Sequence, residues 1–404
     1  MSLNPRNFDF TLHKWRWHHL PPEIAQRLAG HAAADELICV KLTDTRAVYR
    51  FEDLYIKISG TYRIKSQLFP AAREEFNTYR QLQKNNISTV KHLGWGRLGH
   101  YTALVTEAWS SDAEDALSYW YKLVYSSGDK NAFLNGLADF LRDTVNSPLH
   151  HRDFHMGNIL YSPSLDKFTL VDLHNVSVGK LRNYSEKAEM LRILVELRSA
   201  VRPQLMLELF DKISGIDADT AGNVIHKKLV SDRERLQHDW LRRRKQFLTG
   251  YSKFSDFTAF NGSVLLVQRD KLRNNLFDPA AAARGEYNSV RLSFAAALEL
   301  MLFSFYLSML QVPHLQIAAL APDGTVYYPK LPADFQPTED REWVNSYNEY
   351  LLCMGLHLED YHQFRVCNDL LLLNDFSSML SSMPDRSIFR PENVDPHSWR
   401  LRKR

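Results

Sequence analysis

Glycine is missing from the whole stretch between Gly30 and Gly60, so a glycine-rich turn cannot join the strands that this region encodes. Cysteine is scarce. Cys39, Cys353 and Cys367 are few and odd in number among 404 residues, which argues against a disulfide framework and points to a reducing cytoplasm. Charge of one sign is also lacking: 50 Lys and Arg face 47 Asp and Glu, and a net +3 is too mild a footprint for nucleic-acid binding. No basic start followed by an apolar run opens the chain, so no secretory signal is expected. The longest apolar run, LSFAAALELMLFSFYLSML at 292–310, is broken by Glu299, preceded by Arg291 and followed by Pro313. A charge at a bilayer centre costs a few kcal/mol, so this run is expected as a helix buried in protein. Short repeats and low-complexity segments are absent from the sequence as well.

What is present is a globular balance, 45% hydrophobic and 24% charged, in a chain long enough for two domains. Residues 1–34 are aromatic and basic through His13, Lys14, Trp15, Arg16 and Trp17. Strand-like runs rich in Val, Ile, Leu and Tyr follow at 36–42, 46–51 and 54–59, punctuated by Thr43-Asp44-Thr45 and Glu52-Asp53. Pro70 opens a helix, AAREEFNTYRQLQKNN, with Phe76, Tyr79 and Leu82 on one face. Two more strands at Val90–Trp95 and Tyr101–Thr106 complete an expected five-stranded sheet carrying one helix. Beyond Trp109 the period turns helical, at 113–125 and 131–145, and a hairpin is expected from Ile159 to Leu173. Helices then fill Glu186 to about Phe247. Past Gly250 the pattern predicts an extended Val264–Val267, a hairpin at Ala318–Tyr328, and helical pieces near Trp343–Met354 and Leu370–Met379.

The chemistry-bearing stretch is His151-Arg152-Asp153-Phe154-His155-Met156-Gly157-Asn158, followed by Val171-Asp172-Leu173-His174. Phosphoryl transfer needs a carboxylate to orient the attacking hydroxyl, and oxygen ligands that hold Mg²⁺ against the phosphates. An Asp with an Asn five residues later and a second Asp after the next hairpin is the protein-kinase order. Asp153, Asn158 and Asp172 keep it, and the hairpin would set Asp172 beside Asn158 for one metal. Lys57, in the third strand, is the candidate phosphate lysine, with Glu75 preferred over Glu74 as its helix partner because it leads the Phe76/Tyr79 face. Glu107, closing the last strand, joins Lys57 and Asn158 in the candidate nucleotide set. His151 braces the loop in the candidate catalytic set of Asp153, Lys57, Glu75 and His151. Phosphate contacts that a glycine loop would make fall instead to Lys57, the metals or the amides of the Thr43-Asp44-Thr45 turn.

Together HRDFHMGNIL, FTLVDLH, AAREEFNTYRQLQ and Tyr55-Ile56-Lys57-Ile58-Ser59 resemble the lipopolysaccharide kinase family, the heptose and Kdo kinases of the Gram-negative inner core. The likeness runs over roughly 35–250. It implies an α+β, bilobal protein-kinase-like fold: a small antiparallel sheet lobe at 35–108, a helical lobe at 109–250, and a C-terminal extension of unassigned fold at 251–404. It also implies an ATP- and Mg²⁺-dependent sugar kinase acting on a lipid-linked oligosaccharide at the inner face of the inner membrane. Asp153 would be the base, Asp172 and Asn158 the metal ligands, and Lys57 the phosphate lysine.

Blander and rival readings stand beside this one. The same motif serves kinases of proteins or small molecules, and a silent pseudokinase scaffold would keep the fold alone. His150, His151, His155 and His174 lack the paired spacing of a zinc site. His155 could contact substrate, and His174 stands where kinases carry Phe. The basic runs Arg242–Lys245 and Arg400–Arg404 read either as solvated faces or as anchors on anionic lipid. Trp15 and Trp17 could anchor in the same way or pack on the sheet.

Overall fold

The computed structural model describes residues 14–30, 37–42, 46–60, 69–85, 87–124, 129–198, 201–250, 254–261, 263–268, 277–328, 336–337, 340–356, 364–367, 370–373, 376–383, 386–390 and 394–395. The Thr43-Asp44-Thr45 turn and the tail 396–404 lie outside them. The chain is mixed α and β, and pairings between its named strands are antiparallel. It divides into two compact units, one of 1–193 with 210–216, the other of 194–209 with 217–404.

The first unit is built on a six-stranded sheet in the order β1 (Arg16–His18), β5 (His92–Leu98), β6 (Tyr101–Glu107), β4 (Leu54–Gly60), β3 (Arg46–Phe51), β2 (Ile38–Leu42). The sixth strand corrects the five-stranded expectation: the aromatic N-terminal segment joins the sheet edge. Trp17 pairs with Gly96, where a Cβ would run into the indole, so the close approach requires glycine. Trp15 is buried in the core with Tyr49, Phe51, Ile56 and Ile58, and Trp17 packs against it. Both tryptophans therefore pack on the sheet. Helix α1 (Pro22–Gly30) adds Leu28 to this face.

The opposite face carries α2 (Ala71–Lys84), whose Ala72 and Phe76 meet Leu104 and are flanked by Tyr79 and Trp95. Helices α3 (Ala116–Val124) and α4 (Lys130–Asn146) follow, with Asp129 capping α4 through the Ala132 N–H. Next come β7 (Glu114–Asp115) against the hairpin of β9 (Ile159–Ser162) and β10 (Lys167–Leu170), and the pair β8 (Leu149–His151) with β11 (Val176–Val178). Helix α5 (Tyr184–Met190), held by an Asn183/Glu186 capping box, closes the region.

Helix α6 (Pro203–Ser214) leads to the 31-residue α7 (Ala218–Leu248), which packs in the second unit with the chain beyond residue 250. That unit holds a five-stranded sheet, β12 (Ser255–Phe260), β13 (Ser263–Gln268), β15 (Ala319–Leu320), β16 (Thr325–Tyr328) and β14 (Asn288–Arg291), with the short α8 (Pro279–Ala283) beside it. The apolar run forms α9 (Phe294–Met309), buried on nearly all sides, and Glu299 accepts from Arg390 Nε at 3.0 Å. Its Phe305 and Tyr306 meet Trp240, and Tyr306 also meets Phe389, in tilted and edge-on ring contacts. Among the described residues no helix is long and apolar enough to cross a membrane. α10 (Arg341–Cys353) matches its expected helix. The Leu370–Met379 helix does not form. Four leucines at 370–373 extend as β19 against β18 (Phe364–Cys367), which also pairs with β17 (Gln336–Pro337), and only α11 (Ser377–Ser382) is helical.

Candidate active site

Alternation in β4 sends Ile56 and Ile58 into the core on one face and turns Lys57 toward α2 on the other. On α2, Ala72, Glu75, Phe76 and Tyr79 fall on one stripe, so Glu75 is drawn inward while Glu74 stays exposed. Lys57 Nζ donates to both carboxylate oxygens of Glu75, at 3.0 and 3.2 Å, and to Asp172 Oδ1 at 2.5 Å. Burial works against the ammonium, but the two facing carboxylates outweigh it and hold the Lys57 pKa above the ordinary lysine value. Asp172 feels the same balance from the other side. Burial favours its neutral form, and Lys57, seconded by Arg46, overrides this and keeps its pKa low.

Asp172 is delivered by the strand end. The Val171 N–H donates to the Asn158 carbonyl at 3.0 Å, and Asp172 then takes a left-handed φ of 53°. Aspartate visits that region more readily than most residues, and here the Lys57 contact secures it. The preceding loop is tied internally: the Asp153 N–H donates to His151 Nδ1 at 3.3 Å, and Asn158 Nδ2 donates to the Asp153 carbonyl at 2.9 Å. Burial brings the His151 pKa down to about 4, so the ring is neutral and its Nδ1 is available as that acceptor. The Asp153 carboxylate itself is 71% exposed, with His155 Nε2 at 3.8 Å.

Lys57, Glu75 and Asp172 thus meet directly, while His151, Asp153 and Asn158 share one loop bonded to the residue before Asp172. Glu107 stands apart from both groups: its carboxylate pairs with Lys91 at 2.8 Å and its N–H donates to the Lys91 carbonyl. For a cation, Asn158 spends Nδ2 on Asp153 and keeps its amide oxygen, and Asp172 adds carboxylate oxygen. These are hard oxygen donors of the kind Mg²⁺ takes. Among the described residues no three His, Cys, Asp or Glu side chains gather to hold a metal, so the four histidines near the loop form no zinc set.

No family model matches the chain, and no curated protein matches it. Among solved structures it is similar to WbdD in a co-crystal with the kinase inhibitor LY294002, at 14% identity and a TM-score of 0.32. That match covers 46% of this chain and 44% of the other, so the chain spans less than half of the protein it resembles.

Two neighbours of the site carry no sequence motif. His92 is buried against Tyr79, with ring centroids 4.7 Å apart, and its Nε2 lies 4.0 Å from Glu75 Oε1. Its Nδ1 is 2.9 Å from the Val90 carbonyl, and burial holds its pKa down although Glu75 pulls the other way. A single histidine opening a strand gives no sign of this. Arg46 pairs with Ser59 across β3 and β4, on the Lys57 face, and lines a small cavity with Lys57, Glu75 and His174. A lone basic residue opening a strand gives no sign of this either.

Proposed function

We propose that the chain is an ATP-dependent phosphotransferase whose acceptor is a sugar hydroxyl of lipopolysaccharide inner core or a related glycolipid. The observation that carries this reading is Lys57 held between Glu75 and Asp172, groups from a strand, a helix and a distant hairpin end. A buried ammonium costs several kcal/mol unless paired, and two carboxylates around one lysine exceed what packing alone needs. A fixed ammonium beside a metal-binding aspartate is what the phosphates of a nucleotide require.

Bound ATP would supply its terminal phosphoryl group and leave as ADP, with Mg²⁺ offsetting the charge that builds on the phosphates. Lys57, fixed by Glu75, orients the phosphates. Asn158 and Asp172 would hold the metal. Asp153, open to solvent and with its backbone held by His151 and Asn158, accepts the proton of the acceptor hydroxyl. The glycolipid acceptor rests on the resemblance of HRDFHMGNIL and FTLVDLH to lipopolysaccharide kinases, and it implies work in the cytoplasm, peripheral to the inner face of the inner membrane. The test is Mg²⁺-dependent ATP binding and slow hydrolysis by the purified chain, beside Asp172→Ala. Both should be present in the wild type and lost in the variant; absence from the wild type would overturn the reading.

A further inference from the structure

His92 opens β5 with its side chain only 1% exposed, and the fold fixes how its ring is used. Nδ1 lies 2.9 Å from the Val90 carbonyl, which can only accept, so Nδ1 carries the proton. In the neutral ring Nε2 is then a bare acceptor. It has no hydrogen-bond partner among the described residues, and it faces a second acceptor, Glu75 Oε1, at 4.0 Å.

The ring is held in that direction. Tyr79 of α2 stacks on it with the planes 14° apart, and Thr106 of β6 pairs with it across the sheet. The charged groups set against it are Glu75 from α2 and Lys57 from β4. Glu107 of β6 is spent on Lys91, and Asp172 bears on the ring only through Lys57, to which it is bonded. Burial lowers the ring's pKa, Glu75 opposes this and Lys57 adds to it.

Glu75 therefore has two neighbours that compete for it. Lys57 Nζ donates to Oε2 at 3.0 Å and to Oε1, the oxygen facing His92, at the longer 3.2 Å. A proton on Nε2 turns the ring into a charged donor aimed at Oε1. A charge-assisted contact of that kind closes to about 2.8 Å, so the carboxylate moves about 1 Å to make it. The movement stretches the weaker of its bonds to Lys57 and leaves the ammonium to Asp172.

We infer that His92 is a positioning residue for Glu75: neutral, it leaves both carboxylate oxygens to Lys57, and protonated, it takes Oε1 and loosens the lysine. The competition for Glu75 stands on this geometry alone, whereas its consequence for ATP rests on the phosphotransferase reading. In that reading a lysine drawn toward Asp172 offers less to phosphate and occupies the oxygen meant for the metal. Acid then weakens nucleotide binding.

The experiment is a ¹⁵N NMR titration of the His92 ring nitrogens in the full chain, from pH 8 to pH 5. At pH 8 the proton should sit on Nδ1, and Nε2 should take up a second one on acidification. Glu75→Gln should lower the His92 pKa by about one unit or more, and Lys57→Met should raise it by a similar amount, because His92 then replaces the lost cation beside Glu75. A wild-type ring still neutral at pH 5, or one that neither substitution moves, would overturn the inference. ATP titrations at pH 8 and pH 5.5 read the consequence. Affinity should fall about fivefold or more further in the wild type than in His92→Leu. Protonation of ATP, His151 and His174 is common to both proteins and cancels. Equal losses would overturn the inference and leave the phosphotransferase reading standing. Absence of ATP binding from the wild type would sink that reading, while opposite NMR shifts in Glu75→Gln and Lys57→Met would keep His92 as the competitor for Glu75.

Discussion

Lys57 Nζ lies 2.5 Å from Asp172 Oδ1, although 115 residues separate the two in sequence. The contact joins the sheet of the first unit to the end of the β9–β10 hairpin, and Glu75 fixes the lysine from the far side at 3.0 Å. Asp172→Ala should therefore leave the fold standing, since Lys57 keeps Glu75, while the oxygen offered to a metal disappears. Nucleotide titration with and without Mg²⁺ should show the metal dependence lost, with a melting temperature within a few degrees of wild type. Metal-dependent binding that survives the substitution would remove Asp172 from the proposed metal site.

Asp153 presents the opposite case. Its carboxylate is largely solvated and its backbone, not its side chain, holds the loop. Asp153→Asn should leave thermal stability unchanged and lower turnover about 100- to 10,000-fold, the range of a lost general base. Single-turnover phosphate transfer on the variant beside its melting curve separates the two effects. Wild-type turnover would exclude Asp153 as the proton acceptor.

The parts of this arrangement that strict periodicity dictates were legible in the sequence. Period-2 alternation turned Lys57 away from Ile56 and Ile58, and the Ala72/Phe76/Tyr79 stripe drew in Glu75 rather than Glu74. Glu299 likewise marked the 292–310 run as a helix inside protein, and α9 with its Arg390 contact is that helix. Features decided by long-range pairing were not legible. Arg16–His18 has no strand pattern of its own and is extended because β5 offers Gly94 and Gly96 beneath it. Leu370–Leu373 is apolar on every side, a run that suits helix or strand equally until β18 pairs with it. His92 and Arg46 are single residues whose meaning comes only from what the fold sets against them.

Protonation should destabilise this region before the carboxylates titrate. His151 falls from 6.5 to about 4 on folding, and His92 and His174 shift the same way, burial leading in each case. Between those pH values the unfolded chain binds the proton and the folded one does not, so stability declines as pH drops through the window. For His151 that amounts to up to about 3 kcal/mol. Asp172, with its lowered pKa, stabilises above the ordinary carboxylate range and loses that contribution only as pH falls further, through its folded value. Urea unfolding from pH 7 to pH 4 should show the slope, and His151→Gln should flatten it. Parallel profiles for the two proteins would mean that His151 ionises in the folded chain as it does in water.

Arg46 should replace the missing glycine loop by charge. It sits opposite Ser59 on the face that carries Lys57, and its guanidinium adds to the forces that depress both Asp172 and His174. A glycine-rich turn would bind phosphate through backbone amides. Without glycine from 31 to 59, a strand-borne guanidinium can meet the same oxygens as a bidentate fork. Arg46→Ala should weaken ATP about tenfold or more and adenosine hardly at all, because only the phosphates reach it. Arg46→Lys should recover part of the affinity, as a point charge without the fork does. Competition titrations with ATP, ADP and adenosine on the three proteins give the result directly, and equal weakening of adenosine would reassign Arg46 to holding the sheet edge.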